Sequence, residues 1–274
     1  LRGVMAIIIS FVTSVPKSVR PSPCECPTIC ADDLVSKSAS GGCCMNMEPR
    51  LDIIGGALAD PSRSRILCEL MDGRAFTNKE LACAAHVSPQ TASGHLRQLE
   101  AAGLTSSLRS GRHVYHRIRN VEVAQVLENM SILSPVDHLS RGARHATSPQ
   151  ISRSCYNHIA GRLGVLVTER LVFLNALVLN EETVVLGPKH EAFARDLGIA
   201  EVKPASGKPA VKLCLDWTER RHHISGPFST LLMQKCLAEK WLVRQSGNRS
   251  LNITQNGWNA LHRHFDIDKE DLGL

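Results

Sequence analysis

The sequence has few aromatic residues and no long apolar run. Aromatic residues make up 4% of the 274 positions, whereas a platform that stacks single-stranded nucleic-acid bases needs exposed rings. No apolar stretch reaches the roughly 18–20 residues that a bilayer span requires, so we expect a cytoplasmic protein without membrane contact. The ten cysteines fall well below the roughly 8–10% that is typical of a short disulfide scaffold. With 43% hydrophobic residues, the chain is instead predicted to fold into packed domains, and its length favours two.

Residues 1–46 differ from the rest of the chain. They show no sustained helical or strand period, yet they hold half of the cysteines, namely Cys24, Cys26, Cys30, Cys43 and Cys44. We interpret this stretch as a disordered or mis-assigned N-terminal extension, and we predict that residues 1–44 are dispensable. The alternative interpretation is that the adjacent thiols of Cys43 and Cys44 bind a soft metal or metalloid ion.

Residues 47–133 carry the signals of several short helices followed by a β-hairpin. Asp60 precedes a proline and is expected to cap a helix. Thr77 and Glu80 have the spacing of a capping box, and Ser88, again followed by proline, begins another helix. The period then changes to that of two strands around Ser110-Gly111, before a last amphipathic helix. This order predicts a winged helix-turn-helix, and hence a mainly α fold with a small β wing.

The outward side chains of this segment suit a DNA duplex. From residue 86 to residue 120 there are five arginines and one acid, which is the charge that a phosphate backbone attracts. Glutamine can pair bidentately with adenine, and serine or threonine can bond several base edges. The candidate DNA-contacting residues are Ser88, Gln90, Thr91, Ser93, His95, Arg97, Arg109, Arg112, His113 and Tyr115. The alternative is a winged-helix scaffold that binds proteins.

Residues 57–118 resemble the ArsR/SmtB family of bacterial transcriptional repressors. The matching motifs are ALADPSRSRIL, TNKELA, VSPQTASGHLRQLEAAGL and GRHVY. The resemblance implies a homodimer joined through its first and fifth helices. It also implies binding to an inverted-repeat operator in double-stranded DNA, and repression that an inducer releases.

The positions at which such repressors hold their inducer metals are changed in this chain. Family arsenic sensors carry two cysteines in the third helix, where this sequence has Ala82 and Ala84 around Cys83. Family zinc sensors carry histidines in the fifth helix, and residues 121–133 contain none. We therefore interpret Cys83, like Cys68, as a small buried residue.

Residues 134–150 are predicted to form a linker, and residues 151–274 a second, mostly helical domain with winged-helix-like features. Its two halves look alike, which favours an internal duplication and an effector or sensing role. Each half has a cysteine upstream of a histidine: Cys155 with His158, and Cys214 with His222 or His223.

These cysteine–histidine pairs allow three interpretations. Residues three apart share a helix face, so Cys155 and His158, together with Cys214 and His223, could supply four ligands to a metal or metalloid inducer. The pairs could instead be core residues or a redox-sensing thiol pair. Nucleophilic catalysis would need a third, orienting group, and the sequence shows none, so we do not expect an enzyme.

Overall fold

The computed structural model describes residues 48–134, 148–180, 183–200, 209–245 and 247–274. The predictions for residues 1–46, including Cys43 and Cys44, and for most of the linker lie outside these ranges. Pro49–Leu274 form one contacting unit. Within the described ranges, no helix combines the length and the apolar character that a bilayer span requires.

The first part of this unit is a winged helix-turn-helix, as predicted. Its elements are α1 (Leu51–Leu58), α2 (Pro61–Leu70), β1 (Phe76–Thr77), α3 (Asn78–Ala85), α4 (Pro89–Ala101), β2 (Thr105–Ser110), β3 (His113–Ile118) and α5 (Val121–Leu133). The three strands form one antiparallel sheet in the order β1-β3-β2. Strands β2 and β3, with the turn between them, are the wing.

The predicted capping residues begin their helices. The Asp60 carboxylate accepts hydrogen bonds from the backbone of Ser62 and Arg63 at the start of α2. Thr77 and Glu80 form a complete capping box on α3, and the Ser88 hydroxyl caps α4. Because each cap satisfies backbone N–H groups that the helix itself leaves without partners, these helix starts follow from short stretches of sequence.

The second part repeats one order of elements. Its elements are α6 (Ser148–Ile151), β4 (Arg153–Cys155), β5 (His158–Ala160), α7 (Arg162–Phe173), β6 (Leu177–Asn180), β7 (Thr183–Leu186), α8 (His190–Asp196), β8 (Lys212–Leu215), β9 (His222–Ser225), α9 (Pro227–Ala238), β10 (Leu242–Arg244), β11 (Leu251–Ile253), α10 (Gln255–Phe265) and a final 3-10 turn, Glu270–Leu272. After α6, the order strand, strand, helix, strand, strand, helix occurs twice. Each strand pair is an antiparallel hairpin.

Each of the two parts has its own apolar core. Ile66, Leu81 and Leu96 are buried in the winged helix, and Phe228 and Phe265 lie at the centre of the second part. Each such side chain contributes roughly 1.5–3 kcal/mol on burial. A third, small cluster joins Cys155, Ala160 and Cys214, and this cluster positions the buried site described below.

Candidate functional site

Part of the candidate DNA-contact set is exposed on α4 and on the wing. Seven of the ten side chains are open to solvent, and these are Ser88, Gln90, Thr91, Arg97, Arg109, Arg112 and His113. The last three flank the wing turn, where side chains at the tip of the hairpin can contact the phosphates of a duplex. An exposed helix beside a basic hairpin is the arrangement that a duplex groove and its flanking phosphates require.

The hydroxyl groups of the set also make bonds within the domain. The Ser88 hydroxyl accepts from the Thr91 backbone N–H at 3.1 Å and lies 2.8 Å from the Thr91 hydroxyl. The Asn78 amide donates to the Ser93 hydroxyl at 3.0 Å. These contacts fix the start of α4, so Ser88 and Ser93 position the helix.

The rings of His95 and Tyr115 are partly covered. The His95 side chain is 15% exposed and lies between Arg63, 3.5 Å from its Nδ1, and Asp60, 3.9 Å from its Nε2. Tyr115 stands on β3 opposite Leu108 of β2. Both rings are therefore less accessible to a ligand than the exposed side chains of the set.

The four cysteine and histidine candidates of the second part come together in one buried cluster. One ligand atom from each of Cys155, His158, Cys214 and His223 lies within 4.8 Å of the others. All four residues are buried, with exposures of 1%, 7%, 4% and 1%. We call this cluster the Cys2His2 site.

The predicted helix face is not what joins each pair, and this part of the sequence interpretation is wrong. Cys155 is the cross-strand partner of His158 in the β4–β5 hairpin, and Cys214 is the partner of His223 in the β8–β9 hairpin. Directly opposed residues of an antiparallel pair have neighbouring Cβ atoms. The structure also decides between the two adjacent histidines, because His222 is exposed whereas His223 points into the site.

The two imidazoles face each other through the same ring atom. Nε2 of His158 lies 3.1 Å from Nε2 of His223, and the ring centroids are 5.0 Å apart. One of these nitrogens must carry a proton for a hydrogen bond to form, since a neutral imidazole has one donor and one acceptor. Both Nδ1 atoms therefore point away from the cluster.

Oxygen atoms stand near both Nδ1 atoms. Asp216 Oδ2 lies 3.5 Å from Nδ1 of His223, and Asn157 Oδ1 lies 3.5 Å from Nδ1 of His158. Asp216 is held by Arg153 at 2.9 Å and by the Gly161 N–H at 2.7 Å. Burial alone raises the pKa of Asp216, but Arg153 and the other donors outweigh it and hold this pKa well below its usual range.

The two thiols differ in their ionisation. Burial raises the pKa of the Cys155 thiol well above its usual value. The hydrogen bond from Cys155, together with those from the two histidines, lowers the pKa of the Cys214 thiol. These opposite shifts favour the thiolate form of Cys214 over that of Cys155. Burial also lowers the pKa of His158, which favours a neutral imidazole.

A cavity of about 480 Å³ opens beside the Cys2His2 site. Cys155, His158 and Cys214 line it on one side, and Gln125 and Glu128 of α5 line it on another. The site is therefore buried within the protein but borders a space that small solutes can occupy.

The β4–β5 hairpin also contacts the winged helix. The Tyr156 backbone N–H, in the hairpin turn, donates to Met71 O at 2.8 Å, and the Tyr156 side chain packs against the winged-helix core. The Ser154 hydroxyl donates to the buried Asp72 carboxylate at 2.6 Å. The hairpin that supplies Cys155 thus contacts the winged helix directly.

A buried ion pair adds a second connection. Glu128 of α5 is 4% exposed, and its carboxylate lies 2.5 Å from Arg249 Nη1. The Ser154 N–H in turn donates to Arg249 O at 2.8 Å.

The sequence did not predict that Asp216, Tyr156 and Glu128 lie at or beside this site. Only Asp216 has a signal in the sequence, since it stands two residues after Cys214. The prediction that Cys68 and Cys83 are buried is wrong, because both are exposed.

The comparisons with known proteins agree with this architecture. Residues 60–107 match the family described as bacterial regulatory protein, arsR family. The chain is 37% identical over 227 residues to an uncharacterized HTH-type transcriptional regulator, YdfF of Bacillus subtilis (strain 168), a match that covers 81% of this chain and 99% of that protein. The chain belongs to the arsR family of HTH-type transcriptional regulators. Because the match with YdfF is far longer than a winged helix, this regulator shares its second part with that relative.

Other relatives match the winged helix alone. The regulator is 34% identical over 95 residues to the HTH-type transcriptional regulator CmtR of Mycobacterium tuberculosis (strain ATCC 25618 / H37Rv), which covers 34% of this chain and 80% of that protein. Among solved structures, it is similar to the homodimeric winged helix-turn-helix DNA-binding domain of Mb0332 from Mycobacterium bovis. That similarity has 28% identity and a TM-score of 0.30, and it covers 35% of this chain and 87% of the other.

Proposed function

We propose that this regulator is a dimeric repressor that reads an inverted-repeat operator with α4 and the wing. The exposed, basic surface formed by Gln90, Thr91 and Arg97 of α4 with Arg109 and Arg112 of the wing carries this proposal. Gln90 is the candidate base reader, because a glutamine can pair bidentately with adenine. The arginines are assigned to the phosphates.

The dimer is assigned to α1 and α5. Large apolar side chains remain exposed on both helices: Leu51 is 73% exposed and Ile53 47%, and on α5 Val126, Met130 and Leu133 are 52%, 41% and 85% exposed. Grouped exposed apolar side chains mark an interaction surface. Two copies joined there would place their recognition helices about one turn of DNA apart, roughly 34–36 Å.

The second part of the chain is assigned to effector control. Tyr156, Asp72 and the Glu128–Arg249 pair connect it to α2 and α5. A ligand that rearranges these contacts changes the geometry of the helix that would join the two subunits. A tenfold change in operator affinity requires about 1.4 kcal/mol of coupling, which is the scale of one or two such contacts.

Two substitutions test the assignment of the DNA surface. Gln90→Ala is expected to lose about 1–3 kcal/mol on the selected operator and nothing on random DNA. Arg112→Ala is expected to weaken binding to all sequences and to reduce the salt slope by about one. The measurement is fluorescence anisotropy on operators selected from random duplexes, over a salt series. Weak binding that salt erases on every sequence would instead support the protein-binding scaffold.

The dimer assignment is tested by placing a charge on the exposed apolar helices. Met130→Glu is expected to give a monomer in sedimentation experiments and to weaken operator binding more than tenfold. Phe173→Glu is the matched control, because Phe173 is 75% exposed and lies on α7, in the second part of the chain. A Met130→Glu variant that stays dimeric, or a Phe173→Glu variant that dissociates, contradicts the assignment.

A further inference from the structure

The spacing of the Cys2His2 site is close to that of a tetrahedral metal centre. Zinc binds cysteine sulfur at about 2.3 Å and histidine nitrogen at about 2.0–2.1 Å, so ligand atoms around one ion lie roughly 3.3–3.8 Å apart. The two Nε2 atoms are already 3.1 Å apart, and no pair of ligand atoms exceeds 4.8 Å. An ion at the centre therefore requires shifts of about 1 Å or less.

The charge of the site also suits a divalent cation. An ion that binds Cys155 displaces the proton of its thiol to solvent. Two thiolates and two neutral imidazoles then carry two negative charges, which a divalent ion cancels. This balance matters because an uncompensated charge is costly in a buried position. The nearby Asp216 carboxylate does not disturb it, since the Arg153 guanidinium at 2.9 Å already neutralises that group.

The surroundings of the histidines have the form found around bound metals. A metal-ligating histidine commonly directs its second ring nitrogen to a carboxylate or carbonyl oxygen, which fixes the tautomer and the ring. Nδ1 of His223 is buried and makes no hydrogen bond within the described residues, while Asp216 Oδ2 lies 3.5 Å away. A small rotation toward Asp216 completes this contact and leaves the Nε2 lone pair directed into the site.

We propose that Cys155, His158, Cys214 and His223 form a tetrahedral binding site for a zinc-class divalent cation. Each of the two repeated hairpins supplies one cysteine and one histidine to this site. Two sulfur and two nitrogen donors in four-coordinate geometry favour zinc over the harder cations that prefer oxygen ligands. The adjoining cavity of about 480 Å³ gives an ion access to Cys155, His158 and Cys214.

The position of the site makes its occupancy a regulatory signal, a step that rests on the proposed repressor function. Ion binding joins the β4–β5 hairpin to the β8–β9 hairpin. The β4–β5 hairpin carries Ser154 and Tyr156, which contact Asp72 and Met71 of the winged helix. A shift of this hairpin therefore reaches the DNA-binding part directly. The exposed Cys83 of α3 takes no part in this route.

Metal titration of the full chain tests the site without reference to DNA. We expect Co²⁺, added to chelator-treated and reduced protein, to give the ligand-field and thiolate charge-transfer absorption of a tetrahedral centre, which Zn²⁺ then displaces. Cys214→Ser and His223→Gln are expected to lose one bound equivalent per chain and this absorption. His222→Gln and Cys236→Ala are the matched controls, because His222 is exposed next to His223, and Cys236 is a buried thiol in another core.

The ligand variants need a test that does not depend on their folding. His158→Cys keeps four donor groups, so it is expected to retain one equivalent with a stronger charge-transfer band, whereas His158→Ala loses it. Unchanged stoichiometry and spectrum in both Cys214→Ser and His223→Gln overturn the proposal. So does a Cys155–Cys214 disulfide that forms while the metal-binding signal is absent, because that result assigns the thiols to redox chemistry.

Operator binding with and without Zn²⁺ tests the regulatory step separately. We expect Zn²⁺ to change operator affinity at least tenfold in the parent chain and in His222→Gln, and to have no effect in the Cys155→Ser, Cys214→Ser double variant. Stoichiometric metal binding with unchanged affinity contradicts the regulatory step and leaves the metal site standing. Absence of operator binding under all conditions contradicts the repressor function, while the cobalt spectrum still reports on the site.

Discussion

The two parts of this regulator place their candidate functional groups in opposite ways. In the winged helix, they lie within one short stretch on α4 and the wing, and most are exposed. In the second part, they are buried and come from two hairpins that a helix, a hairpin and a further helix separate along the chain. Neighbouring residues in the sequence therefore organise the first surface, whereas only long-range packing assembles the second site.

This difference predicts that the loss of one buried group lowers the free energy of unfolding more in the second part than in the winged helix. Asp216→Asn removes the carboxylate charge that pairs with the Arg153 guanidinium. Both residues are buried, with at most 1% of each exposed. We expect the free energy of unfolding to fall by about 3–5 kcal/mol, because an unpaired buried charge remains. Urea denaturation measures the change.

The control for Asp216→Asn is Glu239→Gln, at a solvent-accessible ion pair with Lys235 on the surface of the same part. A surface pair of this kind contributes roughly 0–1 kcal/mol. Equal losses in the two variants would remove the distinction between buried, long-range contacts and local ones in this part of the protein.

A glycine at the junction of the two parts gives the next largest expected effect. A Cβ at Gly73 would overlap the carbonyl oxygen of Tyr156, and the φ of Gly73 is +81°. Gly73→Ala should therefore separate the β4–β5 hairpin from α2, which faster exchange of the Tyr156 amide proton would report. Gly111→Ala is the control, since Gly111 has φ +58° but no atom within 4 Å of a Cβ.

For Gly111→Ala, only the left-handed backbone conformation opposes the substitution, so we expect a loss of about 1–2 kcal/mol. Gly73→Ala adds the steric conflict to the same backbone cost and should lose more. If the two losses are alike and the Tyr156 amide exchanges at its original rate, the hairpin does not depend on this contact.

The smallest effect is expected where the structure is locally encoded. Thr77→Ala removes one half of the capping box on α3 and should cost about 1 kcal/mol of unfolding free energy. Thr77→Ser keeps the hydroxyl and should cost much less. A loss from Thr77→Ala as large as that from Asp216→Asn would show that this helix start also depends on long-range contacts.

The contrast explains which predictions from sequence succeeded. The sequence predicts Asp60, Thr77 and Ser88 as helix caps, and all three cap helices in the structure, because a cap bonds to residues two or three positions away. The repeated cysteine–histidine spacing was also visible. Its interpretation as a helix face was wrong, because spacing alone does not reveal whether a short segment is a helix or a hairpin.

The amino-acid sequence by itself determined the winged helix-turn-helix, its capped helices and the basic surface of α4 and the wing. Only the tertiary structure decided that Cys155 faces His158 across a hairpin, that His223 and not His222 joins them, and that Asp216 stands behind His223. It also decided that the same hairpin reaches the winged helix through Tyr156. The physical reason is range: caps and helical periods act over a few residues, whereas hairpins meet only after distant apolar surfaces have packed together.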